Sequence, residues 1–180
     1  VILDQKKVRE IEEYYSQCEE EGANEAQIAA SKKAVANLDA IIGDDDVVAE
    51  VAKDFINHYE TRVREGATVE GKAMFVCSNR EIAYKLWQKI VELRPEWNEK
   101  KDCGDKDYKP IEKIKMVMTE NKAKDTKGLF ELLGNHEYRR ELDRQFKKVE
   151  SNFKIAIVVD MWITGFDVPS LDTIYIYKPL

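Results

Sequence analysis

The feature that most limits the fold of this chain is a change of hydrophobic periodicity at Gly71. Before Gly71, apolar residues recur every three to four positions over residues 5–21, 28–42 and 47–64, which is the period of amphipathic helices. After it come short continuous apolar runs, beginning with residues 72–78, which are typical of strands covered on both faces of a parallel sheet. The sequence therefore divides into a helical leader, residues 1–71, and a strand-containing domain, residues 72–180.

Strands and helices alternate in the second part. The pattern predicts strands over 72–78, 113–119, 153–160 and 173–177, and helices over 81–93 and 136–148. This order predicts an α/β fold with a right-handed parallel sheet, beside which the helical leader packs. The acidic run from Asp44 to Asp46 precedes the third helical stretch, where carboxylates favour a helix N-terminus, so we interpret it as a cap in preference to a metal site.

Composition excludes several classes of protein. The 180 residues carry 29 basic and 35 acidic groups, and the division at residue 71 gives 8 − 17 = −9 before it and 21 − 18 = +3 after it. A charge of +3 is weak support for nucleic-acid binding. No apolar run approaches the ~20 residues that cross a bilayer. The three cysteines and two histidines lack the spacing of a disulfide framework or a zinc site. We expect a soluble globular protein without a metal site.

The chain begins without Met and without a signal segment. Both features favour a piece of a longer cytoplasmic polypeptide.

One segment has the spacing of a phosphate-binding loop. Gly66, Gly71 and Lys72 fit G-x-x-x-x-G-K, but such a loop follows a strand, opens a helix and has Ser or Thr after the lysine. Here the segment follows a helix, enters a strand and continues with Ala73. We predict that it does not bind phosphate.

The informative positions follow the ends of the predicted strands, where open α/β sheets bind ligands. Hydroxyls and an arginine at three strand ends would be able to hold phosphates together. Equally, Ser78 and Thr119 would serve as ordinary caps, and Asp167 as a turn cap. The residues alone leave both interpretations open. The candidates are Ser78, Arg80, Thr119, Thr164, Gly165 and Asp167.

Two strings carry a family resemblance: residues 71–80, Gly-Lys-Ala-Met-Phe-Val-Cys-Ser-Asn-Arg, and residues 158–172, which contain Met-Trp-Ile-Thr-Gly-Phe-Asp-Val-Pro-Ser-Leu. They resemble motifs IV and V of the second RecA-like motor domain in the restriction (R) subunit of type I restriction-modification enzymes, a superfamily 2 ATP-dependent DNA translocase. Residues 11–15, 94–97 and 113–119 are also similar to that family. The resemblance implies a three-layer RecA-like domain that is truncated before motif VI.

The resemblance also implies roles for the candidate residues. Ser78 and Arg80 would lie near the DNA groove, and Thr119 and Thr164 would bind backbone phosphates. Gly165 and Asp167 would face an ATP cleft.

The implied cofactors, in the full-length protein, are ATP and Mg²⁺. The implied partners are double-stranded DNA, the modification and specificity subunits and the first motor domain of the same chain. The endonuclease chemistry would belong to another domain, so the fragment itself would hold no catalytic residue and would be inactive alone.

Two alternatives remain at this point. One is the second motor domain of another superfamily 2 DNA helicase, and the other is a non-catalytic α/β interaction module. Tyr177 departs from the family pattern, and its role stays open.

Overall fold

The computed structural model describes residue 33 and residues 37–66, 70–159, 161 and 167–178. Residues 37–42 are helical. The following elements are helices α1 (Asp45–Glu65), α2 (Arg80–Leu93), α3 (Lys127–Leu133) and α4 (His136–Lys147), strands β1 (Lys72–Cys77), β2 (Ile114–Val117), β3 (Ile155–Val158) and β4 (Leu171–Tyr177), and a 3-10 turn at Pro95–Asn98. The predicted helix at residues 5–21 and most of the apolar pattern at 28–42 lie outside the described residues.

The described strands form one sheet in the order β2-β3-β1-β4, and every pairing is parallel. Val158 of β3 pairs with Val76 of β1 on one side and with Val117 of β2 on the other. Cys77 of β1 pairs with Tyr177 of β4. The four strands therefore end at the same edge of the sheet, and the predicted α/β fold with a parallel sheet is confirmed.

Both faces of the sheet are covered. Alternate residues of β1 point to opposite sides: Phe75 belongs to a core shared with α1 and α2, whereas Met74 belongs to a core shared with α4. The period of two along a strand places successive side chains on opposite faces, so a run buried at every position requires helices on each side. The result is a three-layer arrangement of helix, sheet and helix.

Helix α1 packs on the sheet through an aromatic cluster. Asp44 is the N-cap, and its carboxylate accepts hydrogen bonds from the backbone N–H groups of Asp46 and Val47, as the acidic run predicted. Phe55 lies edge-on to Phe75 of β1, with ring centroids 5.3 Å apart. Such edge-to-face pairs contribute about 0.5–1.5 kcal/mol beyond their buried area. Helix α1 thus shares one hydrophobic core with β1.

Helix α3 was not predicted from the sequence. It begins at the N-cap Thr126, whose hydroxyl accepts from the backbone N–H of Leu129, and it buries Leu129 and Leu133. It ends at Gly134, whose φ of +63° is a left-handed conformation that favours glycine. Among the described residues there is no candidate for a membrane-spanning helix.

Candidate nucleic-acid interface

The candidate site is built on the edge where the strands end. Ser78 directly follows β1, and Thr119 comes two residues after the end of β2. Because β3 lies between these strands and neighbouring strands are about 4.8 Å apart, the two chain segments leave the sheet roughly 10 Å from each other. The structure thus brings two of the predicted positions to one edge.

Ser78 is not the cap of the helix that follows it. That role belongs to Asn79, whose side-chain oxygen accepts a 3.0 Å hydrogen bond from the N–H of Ile82. The backbone N–H of Ser78 donates to the carbonyl oxygen of Tyr177 at the end of β4. Its hydroxyl oxygen is buried and finds no hydrogen-bond partner in the part of the chain that the structure describes. Because Asn79 provides the cap, capping does not explain the serine at position 78. Its buried unpaired hydroxyl costs about 1–3 kcal/mol.

Arg80, the first residue of α2, is held in an ion pair. Its guanidinium donates two hydrogen bonds to the carboxylate of Asp125, at 2.7 and 2.5 Å. Asp125 lies on the loop that follows β2 and also accepts from the backbone N–H of Asn121 at 2.6 Å. Arg80 therefore ties the end of β1 to the loop after β2.

A groove of about 530 Å³ runs between the first half of α2 and this loop. Three cationic side chains line it, those of Arg80, Lys85 and Lys124. Lys85 is engaged by Asp45 at 3.0 Å, whereas Lys124 is exposed on the loop. The carboxylates of Glu81 and Asp125 line the groove too, so its formal charge is only 3 − 2 = +1, which weakly favours an anionic ligand.

Thr119 is exposed at the start of the same loop. Its neighbour Glu120 pairs with Arg139 of α4. A backbone hydrogen bond and this ion pair lower the pKa of Glu120. The loop is thus anchored at one end to α4 and at the other to α2, and Thr119 is left on the surface.

The third strand end is described only in part. Thr164 and Gly165 lie outside the described residues. Asp167 is exposed, and the next residue, Val168, is buried in the core on the α4 side. The carbonyl oxygen of Val168 accepts from the N–H of Leu171 at the start of β4. The chain around Asp167 is therefore anchored while its carboxylate faces solvent.

The segment with phosphate-loop spacing has a structural use. Lys72 begins β1, is fully buried, and its ammonium donates to the carbonyl oxygens of Gln145, Phe146 and Lys148 at the end of α4. These acceptors use all three of its donors. The lysine is therefore engaged within the fold and is not directed at a ligand.

Tyr177 connects the leader to the sheet. Its hydroxyl donates to the carbonyl oxygen of Ile42, at 2.6 Å, and Lys85 of α2 donates to the carbonyl oxygen of Gly43. Burial raises the pKa of Tyr177 to about 12. The sequence left Tyr177 without a role. The structure shows that it holds the helical residues 37–42 near the end of β4, and Lys85 adds a contact from the first half of α2.

Cysteines and metal ligands add no further chemistry in the described ranges. Cys77 and Cys103 are free thiols there, and burial raises the pKa of Cys77 to about 12. Among the same residues, His, Cys, Asp and Glu side chains form no group of three or more that fits a metal ion.

The parallel sheet and the helical layers on its two faces define the class of three-layer α/β domains. The chain belongs to a particular family of this class. The family described as type I restriction enzyme subunit R domain 3 matches residues 1–180.

Two curated relatives agree with this assignment. The putative type I restriction enzyme MjaIXP endonuclease subunit of Methanocaldococcus jannaschii is 34% identical over 167 residues, which are 92% of this chain and 14% of that protein. The type I restriction enzyme HindI endonuclease subunit of Haemophilus influenzae is 35% identical over 140 residues, which are 78% of this chain and 12% of that protein. The chain thus spans about one seventh or less of the length of these relatives.

Proposed function

We propose that the chain serves as the second RecA-like motor domain of a type I restriction enzyme R subunit, with residues 1–71 as its helical leader and 72–180 as the motor domain. In this role it grips duplex DNA during ATP-dependent translocation and forms one wall of the ATP cleft. The partners would be the first motor domain of the same polypeptide and the modification and specificity subunits. Cleavage of DNA would belong to the whole restriction complex.

The observation that best supports this proposal is the common edge at which the strands end. Ser78 and Thr119 leave the sheet there, beside a groove lined by Arg80, Lys85 and Lys124 together with two carboxylates. Hydroxyls and backbone N–H groups on rigid strand ends bind phosphates without reading base sequence, as a translocating motor requires. We propose that Thr119 and Thr164 contact the DNA backbone, and that Ser78, whose hydroxyl is buried, and Arg80 lie near the same groove and shape it.

We propose that this chain contributes only one wall of the ATP cleft. Lys72 is engaged by three carbonyl oxygens, so the segment with phosphate-loop spacing does not fit a nucleotide phosphate. Asp167 is exposed and anchored through Val168, which suits a carboxylate that meets a ribose hydroxyl or an arginine across a cleft. Gly165 would allow close approach of the backbone there. The phosphates and Mg²⁺ would be held by the first motor domain.

The DNA contact is tested in the intact R subunit. Ser78→Ala and Thr119→Val remove hydroxyls at the strand ends. Thr61→Val, in the last turns of α1, is the matched control, because this end of α1 lies beside the start of β1 and not beside the strand ends. We expect weaker duplex binding and slower triplex displacement for Thr119→Val, which should lose about 1 kcal/mol of binding free energy. The loss should be smaller for Ser78→Ala, because that hydroxyl is buried, and the control should not change. Unchanged binding and translocation in both strand-end variants would contradict the proposal.

A protein-binding role has one observation in its favour. Ile174 and Ile176 of β4 are 51% and 59% exposed on the strand that closes the described sheet. Exposed apolar residues on a strand at the side of a sheet favour contact with other protein. A non-catalytic interaction module would leave DNA binding unaffected by every strand-end variant, while Ile174→Lys would disturb assembly. The same DNA-binding measurement therefore separates the two functions.

A further inference from the structure

We infer that Arg80 and Asp125 form a positioning pair that sets the conformation of the loop after β2, and that Arg80 supports DNA binding through this loop without contacting a phosphate. This inference rests on the proposed DNA-binding function.

The ion pair between Arg80 and Asp125 is mostly buried. Asp125 has a side chain only 1% exposed, and that of Arg80 is 27% exposed. The two hydrogen bonds join the guanidinium and the carboxylate in the bidentate arrangement, which is the strongest and most directional form of this interaction. A buried carboxylate without its cation is strongly unfavourable. Arg80 therefore cannot leave Asp125 for a phosphate without leaving that carboxylate unpaired.

Asp125 also fixes the loop after β2 through two hydrogen bonds with Asn121. One of its carboxylate oxygens accepts from the N–H of Asn121, and its own N–H donates to the carbonyl oxygen of Asn121 at 2.8 Å. The next residue, Thr126, caps α3. The carboxylate thus closes the turn between the exposed Thr119 and the start of α3, so the orientation of this turn depends on Arg80.

Direct contact and positioning predict opposite effects of Asp125→Asn. If Arg80 contacted phosphate, the substitution would remove a negative charge, release the arginine and tighten DNA binding. If the pair positions the loop, the substitution loosens the turn and weakens binding. Arg80→Lys also separates the two, because lysine still contacts phosphate as a point charge but does not reproduce the bidentate geometry.

The experiment measures binding of the intact R subunit to a duplex oligonucleotide over a range of salt concentrations. Removal of one ion pair between the protein and a DNA phosphate lowers the slope of log K against log salt by about 0.9. We expect Arg80→Gln, Arg80→Lys and Asp125→Asn each to weaken binding about tenfold with an unchanged slope. The Arg80→Gln/Asp125→Asn double variant should bind no more weakly than either single variant, since both remove the same interaction.

A second readout needs no DNA. Hydrogen exchange of the peptide covering residues 119–126 reports the order of the loop, and we expect about tenfold faster exchange at Asn121 in each single variant. Lys124→Gln removes the same positive charge from the groove and keeps the pair, so loop exchange should stay at the wild-type rate.

The positioning role is overturned by wild-type loop exchange in Arg80→Gln, by tighter DNA binding in Asp125→Asn, or by a slope lowered by about 0.9 in Arg80→Gln. A loosened loop with unchanged DNA binding would refute the link to DNA. If Ser78→Ala and Thr119→Val were then also without effect, the proposed function itself would fail.

Discussion

The ammonium nitrogen of Lys72 lies 2.6 Å from the carbonyl oxygen of Phe146, within the last turn of α4. The carbonyl oxygens of Gln145 and Lys148 complete its hydrogen bonds. In its protonated form Lys72 satisfies carbonyl groups that the helix leaves unpaired and interacts favourably with the negative end of the helix dipole. The first residue of β1 therefore fixes the helix that covers one face of the sheet.

This arrangement predicts a pH dependence of stability. Burial, with a smaller contribution from Lys154, lowers the pKa of Lys72 from its ordinary value of 10.5 to about 7. Between these values the unfolded chain binds the proton that the folded chain has lost, so the contribution of Lys72 to the free energy of unfolding increases as pH rises from 7 towards 10.5. The slope is at most about 1.4 kcal/mol per pH unit.

The measurement is urea denaturation of the wild type and Lys72→Met at several pH values in this window. Methionine fills a similar volume and does not titrate there. We expect the wild type to gain stability relative to the variant as pH rises. A difference between the two proteins that stays constant with pH would show that Lys72 keeps its proton in the folded chain.

The hydrogen bond between Tyr177 and Ile42 predicts a second effect on stability. Tyr177→Phe removes the hydroxyl, keeps the ring, and leaves the carbonyl oxygen of Ile42 without this donor. We expect a loss of about 1 kcal/mol in the free energy of unfolding, with faster hydrogen exchange confined to residues near Ile42. The matched control is Tyr138→Phe, at the start of α4, because the Tyr138 hydroxyl makes no hydrogen bond to the residues that the structure describes. Equal stability of Tyr177→Phe and wild type would mean that water replaces the lost partner.

Much of the fold was predictable because its strands are buried and its helices amphipathic. The run at β1 and the apolar face of α2 give unambiguous periods, and the end of α2 is marked by Arg94-Pro95. Helix α3 was not predicted because it has only 7 residues, too few for the helical period to show. Its signal was local: the capping Thr126 and the apolar pair Leu129 and Leu133 four residues apart.

The candidate site was less predictable than the fold. The positions of Ser78 and Thr119 at one edge follow from the parallel order of the strands, which the sequence indicated. The partner of Arg80 lies 45 residues away, on a loop whose path depends on tertiary packing. The role of Lys72 was equally hidden, since nothing in the sequence shows that the last turn of α4 reaches it. Hydrophobic periodicity therefore predicts the strands and helices but not the hydrogen bonds between residues that are distant in sequence.

The chain alone is expected to hydrolyse no ATP above background. Lys72 is engaged with carbonyl oxygens, and the sequence has no other segment with phosphate-loop spacing. The measurement is phosphate release by the purified chain with and without duplex DNA, with an intact R subunit as the positive control. DNA-stimulated turnover by the chain alone would contradict the prediction.

The last prediction compares Asp167 with Thr164 in the intact R subunit. Asp167→Ala removes an exposed carboxylate that we propose to face the ATP cleft, and Thr164→Val removes a hydroxyl that we propose to bind a phosphate. A hydroxyl contributes about 1 kcal/mol to such a contact, whereas a carboxylate that orients charged groups in a closed cleft contributes more in the closed state. We therefore expect Asp167→Ala to abolish DNA-dependent ATP hydrolysis and translocation while the fold and static DNA binding persist.

Thr164→Val is expected to lower the translocation rate or processivity by a factor of about ten or less, with ATP hydrolysis largely retained. Steady-state ATPase and triplex-displacement assays measure both activities, and circular dichroism with duplex binding checks that each variant is folded. Because Asp167 is exposed and Val168 anchors the chain beside it, loss of the carboxylate should not disturb the core. Wild-type ATPase activity in Asp167→Ala would mean that this residue only caps a turn, and the cleft would then have to be formed by other residues.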